Sequence, residues 1–220
     1  MKELSYDLHI HSCLSPCGDP DMTPNNIAGM AFIKGLNIIA VTDHNTVRNA
    51  PAVLRAAEQY GITVIPGMEL TTQEEAHVVC LFAETEAALS FDEYVYESMI
   101  RIRTKKEIFG EQILMNEEDE PVGEEECLLI NATSIPFDDV YDAVTAHNGI
   151  MIPAHLDKST TSLISNLGFI PPNARFTCAE VKDLSKLHAL KKAHPYLENC
   201  RIISDSDAHY LPDIHESVHT

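Results

Sequence analysis

Asp7-Leu8-His9-Ile10-His11-Ser12 is the stretch whose reading decides the fold. On an extended strand successive side chains point to opposite faces, so His9 and His11 share one face and Leu8 and Ile10 the other. Outward from this run the same kind of segment recurs. Short apolar, β-branched runs lie at 37–44, 63–70, 76–82, 150–155, 177–181 and 201–207, giving seven strands with 6–11. Amphipathic helical segments at 24–34, 50–60, 87–106, 137–147 and 185–193 separate most of them. Thr23-Pro24 supplies a helix cap followed by a first-turn proline. Gly35, Gly61 and Gly149 follow helical runs, where a left-handed C-cap belongs. Strands joined by helical crossovers predict an α/β fold with a parallel sheet, open or closed. Residues 107–136 break the rhythm with two acidic runs and read as a surface insertion, a hairpin around 118–123, within a single domain spanning 1–220.

The histidines and carboxylates fall at the ends of these runs. Asp43-His44 ends the second, Glu69 lies near the end of the third, His77 lies in the fourth, and His155 closes the fifth. Asp205-Ser206-Asp207-Ala208-His209 closes the last. In a parallel α/β fold the C-terminal strand ends gather at one rim, where active sites are built. Each residue alone has a plain reading: a hydrogen-bonded strand histidine, a helix cap at Asp43, a loop charge at Glu69. Together they would be costly to bury without cations to pair with. Imidazole and carboxylate with no required thiolate suit Zn, Mn or Fe, and the donors outnumber what one ion uses.

Composition narrows the partners. The 220 residues carry 15 Lys and Arg against 34 Asp and Glu, a net charge of −19. Such a surface repels polyphosphate backbones, so long nucleic acid is not an expected partner unless metal ions reverse the local sign; most of the acidic excess reads as solvated surface, and part of it would be neutralised by bound divalent ions. The six cysteines form no CxxC pair, and Cys80 and Cys178 sit in apolar runs as small core residues. With no secretory leader and no apolar run of the ~18 residues a membrane span needs, the expectation is a cytoplasmic, reduced protein without a membrane partner. The oligomeric state is not legible.

The motifs Asp7-Leu-His9-Ile-His11-Ser12, Thr42-Asp43-His44, Gly67-Met-Glu69, His77, Pro153-Ala-His155 and Ser206-Asp207-Ala-His209 follow one another over residues 7–209. In kind and order they resemble the polymerase and histidinol phosphatase (PHP) superfamily. The resemblance implies a distorted (β/α)7 barrel of parallel strands, with two or three divalent metals at its C-terminal rim and phosphoester hydrolysis as the activity. By position, His9, His11, Glu69 and Asp207 would hold a first metal. Glu69 would bridge to a second held by His77 and His155, and His44 and His209 would belong to a third site. Asp7 and Asp43 would orient nearby imidazoles. Many relatives carry a further ligand five or six residues after the second histidine. Pro16 and Cys17 stand there instead, so Asp19 is taken as the candidate, with Cys17 and Asp21 as alternatives.

The chemistry so implied is hydrolysis of a phosphomonoester or short phosphodiester, in a small metabolite or nucleotide, by a metal-activated hydroxide. Glu69 would position the nucleophile and His44 or His209 would protonate the leaving group. Arg48, Lys158 and Arg175 lie near the predicted rim as phosphate clamps, each equally readable as a solvated charge. Three alternatives stand beside this. An exonuclease would trim oligonucleotide ends. An amidohydrolase would commonly use a lysine on a middle strand, and the third to fifth runs have none. A non-catalytic, metal-stabilised module would show degraded ligands.

Overall fold

The computed structural model describes residues 3–217. Strands β1 (Tyr6–Ile10), β2 (Ile38–Val41) and β3 (Thr63–Thr71) lie side by side and parallel, linked by helices α1 (Pro24–Ile33) and α2 (Ala50–Ala57). Strand β4 (His77–Phe82) then folds back antiparallel on β3. Helices α3 (Thr85–Ser98) and α4 (Lys106–Phe109) lead to a hairpin of β5 (Ile113–Met115) and β6 (Pro121–Glu124). After α5 (Phe137–Ala146), strand β7 (Gly149–Pro153) pairs antiparallel with β4 and so runs in the direction of β3. Helix α6 (Leu163–Leu167) precedes β8 (Cys178–Glu180), and α7 (Leu187–Ala193) connects it to β9 (Arg201–Ile203), a parallel pair outside the main sheet.

The expected parallel (β/α)7 barrel is therefore corrected to a mixed sheet of order β1-β2-β3-β4-β7, with no closed barrel among the described residues. The cause is connection length. Only residues 72–76 separate β3 from β4, whereas a parallel crossover needs about a dozen residues. The ends of the sheet approach β8 and the segment after β9 through a few backbone bonds, Ala208 N also donating to His9 O (3.2 Å). Leu156 N donates to Glu180 O (2.9 Å) and His11 N to Ala208 O (2.9 Å).

Three apolar layers hold this arrangement. Inside the curl, Ala40, Val79, Leu81, Ile152, Ala154 and Ile203 pack together. Under α1 and α2, Ile10, Ile27, Ile39 and Val53 form a second layer. Under α3 and α5 lie Val78, Cys80, Phe82, Phe91, Val140 and Val144. Each large side chain so buried contributes about 1.5–3 kcal/mol. Cys178 is half-buried against the inner layer, and the six cysteines are free. No described helix is long and apolar enough to cross a membrane.

Local expectations fare unevenly. Thr23 does precede α1, but its hydroxyl donates to Asp119 Oδ2 (2.8 Å) rather than capping the helix. The Asp119 carboxylate does that work, accepting from Asn25 N (2.9 Å). Gly35 and Gly61 take positive φ as expected of helix ends. Gly149 does not: Asn148 adopts the left-handed conformation (φ 58°) and Gly149 opens β7. Its reason for being glycine is contact, since a Cβ would lie 2.5 Å from Phe82 Cε1 and 2.8 Å from Val144 Cγ1. Within 107–136 the hairpin turn falls at 116–120, and the flanks pack inward. Gln112 is fully buried, its amide donating to Glu125 O and Cys127 O (2.8 Å each), and Asn45 donates to Leu129 O (2.7 Å).

Gly149→Ala is expected to cost about 1–3 kcal/mol, the usual scale for overpacking. Urea unfolding should show a lower midpoint at unchanged slope, and an unaltered midpoint would mean that Phe82 yields freely.

Candidate metal centre

The site lies where β1, β2, β3 and β7 end and β4 begins. Because β4 runs antiparallel, His77 reaches this rim from the start of its strand. At the centre Glu69 is 1 % exposed, and nitrogens of five imidazoles approach it. Its Oε1 lies 2.8 Å from His77 Nδ1, 3.0 Å from His155 Nε2 and 3.2 Å from His9 Nε2. Its Oε2 lies 3.1 Å from His44 Nδ1 and 3.4 Å from His11 Nε2. Asp207 Oδ1 closes the group at 3.6 Å from His9 Nε2 and 3.4 Å from His11 Nε2.

Hydrogen bonds on the far side of the rings fix which nitrogens face inward. His9 Nδ1 donates to Glu180 Oε2 (2.8 Å), a carboxylate that can only accept. His11 Nδ1 meets Ser15 Oγ (3.0 Å), whose own proton goes to Asp43 Oδ1 (2.7 Å), so the ring nitrogen must donate there too. His209 Nδ1 donates to the Asp207 carbonyl (2.9 Å). In the neutral rings the Nε2 atoms of His9 and His11 therefore offer lone pairs, yet they stand 3.3 Å apart. Two acceptors at that distance between two carboxylates call for positive charge. Glu69 Oε2 and His44 Nδ1, both buried, likewise lack a hydrogen-bond partner. The residues thus fit divalent ions, and three overlapping donor groups form: His9, His11, Glu69 and Asp207; His44, Glu69 and His77; His11, His44 and His209. His155 lies against Glu69 but joins none of these groups, and neither does Asp19.

The electrostatics agree. Burial opposes charge on His9, but Glu180, Glu69 and Asp207 outweigh it and raise its pKa well above the ordinary value. Burial would raise Glu69, yet the surrounding histidines, His77 first, hold it well below the carboxylate range. Asp207 is lowered in the same way by His9 and His11. Burial lowers His44 strongly and, with His11, lowers His209 to about 4. Both rings stay neutral near pH 7, the form that offers a lone pair rather than a proton. Two residues of the site, His155 (φ 32°) and Asp207 (φ 53°), hold positive φ.

The other expected residues divide. Lys158 Nζ reaches Asp207 Oδ2 (2.6 Å) and is half-buried at the rim. Arg48 is engaged with other partners: it is bound to Glu125 Oε2 (2.7 Å) and Asp92 Oδ2 (3.4 Å) and covers the Tyr96 ring. Arg175 is absent from the site. It precedes β8, toward the opposite end of the strands, paired with Asp142 Oδ2 (2.6 Å) over the Tyr141 ring. Asp19 Oδ1 accepts from Asp21 N (2.9 Å), while the Cys17 thiol is pushed up to about 12 by burial and then by Glu69, although the residue exposes much of its surface. Asp43 acts on His11 through Ser15. Asp7 accepts from the backbone of Ser206 (3.1 Å) and His215 (3.0 Å). Sequence reasoning missed Glu180, Ser15 and Lys182, whose Nζ reaches Ser206 O (2.8 Å) and Asp207 Oδ2 (3.5 Å). A glutamate inside the apolar run 177–181 was the available signal for the first.

A profile of the PHP domain matches residues 7–161, more than half of the chain. An uncharacterised protein of Methanocaldococcus jannaschii is 36 % identical over 87 residues, covering 36 % of this chain and 50 % of that one. A 5′-3′ exoribonuclease of Haemophilus influenzae is 35 % identical over 79 residues, covering 34 % of this chain and 28 % of its own length. The chain thus spans half or less of these curated relatives. Among solved structures, a putative metal-dependent phosphoesterase of Bifidobacterium adolescentis shares the fold (TM-score 0.66, 16 % identity, 99 % of this chain and 92 % of that one). So does the lesion-specific endonuclease Q of Pyrococcus furiosus (TM-score 0.64, 20 % identity, 94 % of this chain and 49 % of that one). An endonuclease Q is also seen bound to a 27-mer duplex. These nucleases overturn the expectation, drawn from the charge of −19, that long nucleic acid is excluded. Net charge sums the whole surface, whereas salt screens it beyond about 8–10 Å and the charges at the rim act locally. Motif order, donor geometry and the profile agree, and the chain belongs to the PHP domain family.

Proposed function

We propose that this PHP-domain metal-dependent hydrolase cleaves phosphoesters of nucleotides or of nucleic-acid ends, using two or three divalent ions. The observation that carries the reading is the facing pair of His9 and His11 Nε2 lone pairs, 3.3 Å apart between Glu69 and Asp207. Divalent ions bound there would neutralise phosphate oxygens and acidify a water. The remaining work falls to the chain. His9, His11, His44, His77 and Asp207 would hold the ions, with Glu69 shared between two of them. His155 beside Glu69 and His209 at the exposed edge would complete the set. Glu180 and Ser15 would lock the ring orientations, so that little reorganisation accompanies binding. Lys158 and Lys182 would meet the negative charge of the substrate, a role that Arg48 and Arg175 do not fill. Phosphodiesters of nucleic acid come first among substrates because relatives in sequence and in fold bear nuclease names.

The test is a panel of 5′-phosphorylated oligonucleotides, mononucleotides and aryl phosphates, run with the Zn-, Mn- and Fe-loaded protein. Hydrolysis of none of them, with full metal occupancy, would refute the reading. Metal analysis should return two or three equivalents, and chelation should lower Tm because ions bound to the folded state stabilise it. At most one equivalent after reconstitution would dismiss the cluster.

Glu69→Gln keeps the volume and removes the shared charge. The expected loss in kcat is at least ~100-fold, about 2.7 kcal/mol of transition-state stabilisation. Near-normal turnover with full occupancy would show that Glu69 does not bridge.

A further inference from the structure

Asn49 stands immediately before α2, where an asparagine side chain ordinarily caps its own helix, yet it makes no such bond. It is fully buried, and both protons and the oxygen of its amide are spent elsewhere. Nδ2 donates to Ile113 O (3.0 Å) and Ser12 Oγ (3.0 Å), while Oδ1 accepts from Met115 N (3.0 Å). A flipped amide would set its oxygen against the Ile113 carbonyl and its NH2 against the Met115 N–H, so the orientation is forced. Ile113 N in turn donates to Cys13 O (3.2 Å), which seats β5 on the loop that follows His11. From Ser12 the bonds run inward. Ser12 Oγ gives its single proton to Asp43 Oδ2 (2.6 Å) and so can only accept from Asn49. Asp43 Oδ1 accepts from Ser15 Oγ (2.7 Å), and that oxygen accepts from both His11 Nδ1 (3.0 Å) and His44 N (3.2 Å).

We propose that Asn49 is a positioning residue: through Ser12, Asp43 and Ser15 it makes the seating of β5 part of what aims His11 and His44 at the metal centre. The inference rests on the metal centre of the proposed function and not on the reaction carried out there. Asn49, Ser12, Ser15 and Asp43 are each at most 1 % exposed, so solvent does not compete for these bonds. Buried hydrogen bonds in series polarise one another, and loss of the outermost weakens those further in. The dependence is uneven. His11 and His44 both lean on the Ser15 hydroxyl, and they are two of the three donors in the group completed by His209. The group of His9, His11, Glu69 and Asp207 has a second support, the bond from His9 to Glu180. An ion held by His11, His44 and His209 is therefore the one that a displaced β5 loosens first. The acidic hairpin is in this sense a working part of the site rather than an appendage beside it.

The test reads Zn2+ affinity of the full chain, by competition with a chromophoric chelator, together with amide hydrogen exchange across β5. Asn49→Ala should speed exchange at Met115 and weaken the most loosely bound Zn2+ about three- to tenfold, the lower end of what losing a ligand's supporting bond costs. Ser12→Ala leaves both hairpin bonds of Asn49 in place, so it should weaken Zn2+ as much while Met115 stays protected. The double variant should lose no more than the larger single loss, because both substitutions break one chain of bonds. Asp119→Ala frees the hairpin turn from α1 instead and should stay within about twofold. Unchanged Zn2+ affinity in folded Asn49→Ala, additive losses in the double variant, or an equal loss in Asp119→Ala would each overturn the proposal. Should Asn49→Ala fail to fold, Ser12→Ala decides, and unchanged affinity there overturns it as well. No Zn2+ binding by the unaltered protein would remove the metal centre and this inference with it. Binding that depends on Asn49 and Ser12, without hydrolysis of any phosphoester, would instead remove the functional reading and leave the positioning role standing.

Discussion

One carboxylate with two oxygens cannot satisfy five imidazoles, and the architecture around Glu69 follows from that excess. His9 and His11 are held by bonds on the far side of their rings, to Glu180 and Ser15, and His44 and His77 by backbone bonds to Ser15 Oγ and Thr161 O. Burying so many ionisable groups among apolar layers would be prohibitive if each had to be charged alone. The carboxylates hold His9 and His11 above the ordinary imidazole range, and beside the neutral His44 and His209 rings they form a cavity whose favourable partner is a cation. The outer bonds from Glu180, Ser15 and Asp43 spend protein stability on keeping that cavity rigid before any ion arrives.

Much of this was legible in the sequence. The recurrence of His, Asp and Glu at strand ends identified the rim, and every histidine singled out there is found at it. Alternation alone misread the first strand in one respect. Leu8 packs into the inner layer and Ile10 into the outer one, because the β1–β2 register slips between Asp7 and Ile10. That irregularity re-aims the strand, so a strict period of two describes only part of it. His77 was expected on a parallel strand, and the count of linking residues could have corrected this, since 72–76 is too short for a crossover.

What the sequence hid were partnerships between distant residues. Glu180 looked like one polar residue in a short run, and only the fold sets it against His9, 171 positions away. Arg48 and Arg175 looked available because nothing local revealed Glu125, Asp92 or Asp142 as their partners. Lys182 is the converse, an unremarkable lysine that the turn after β8 brings to Asp207. The acidic segment around the hairpin reads as solvent-facing, and Asp119 in its turn nevertheless caps α1. Long-range pairing of this kind leaves no periodic trace.

The tight return from β3 to β4 has a consequence for the order in which the molecule assembles. Glu69 and His77 are eight positions apart and meet within one hairpin, a contact of low loop-closure entropy that forms early. His9 and Asp207 belong to opposite ends of the chain and come together only when Ala208 bridges to Ile10. The first half-site is therefore the cheaper to organise, and the last depends on contacts between distant parts of the sequence. An ion that needs both is retained only once the segments around His9 and Asp207 have met, so metal retention reports folding across that span rather than of one hairpin.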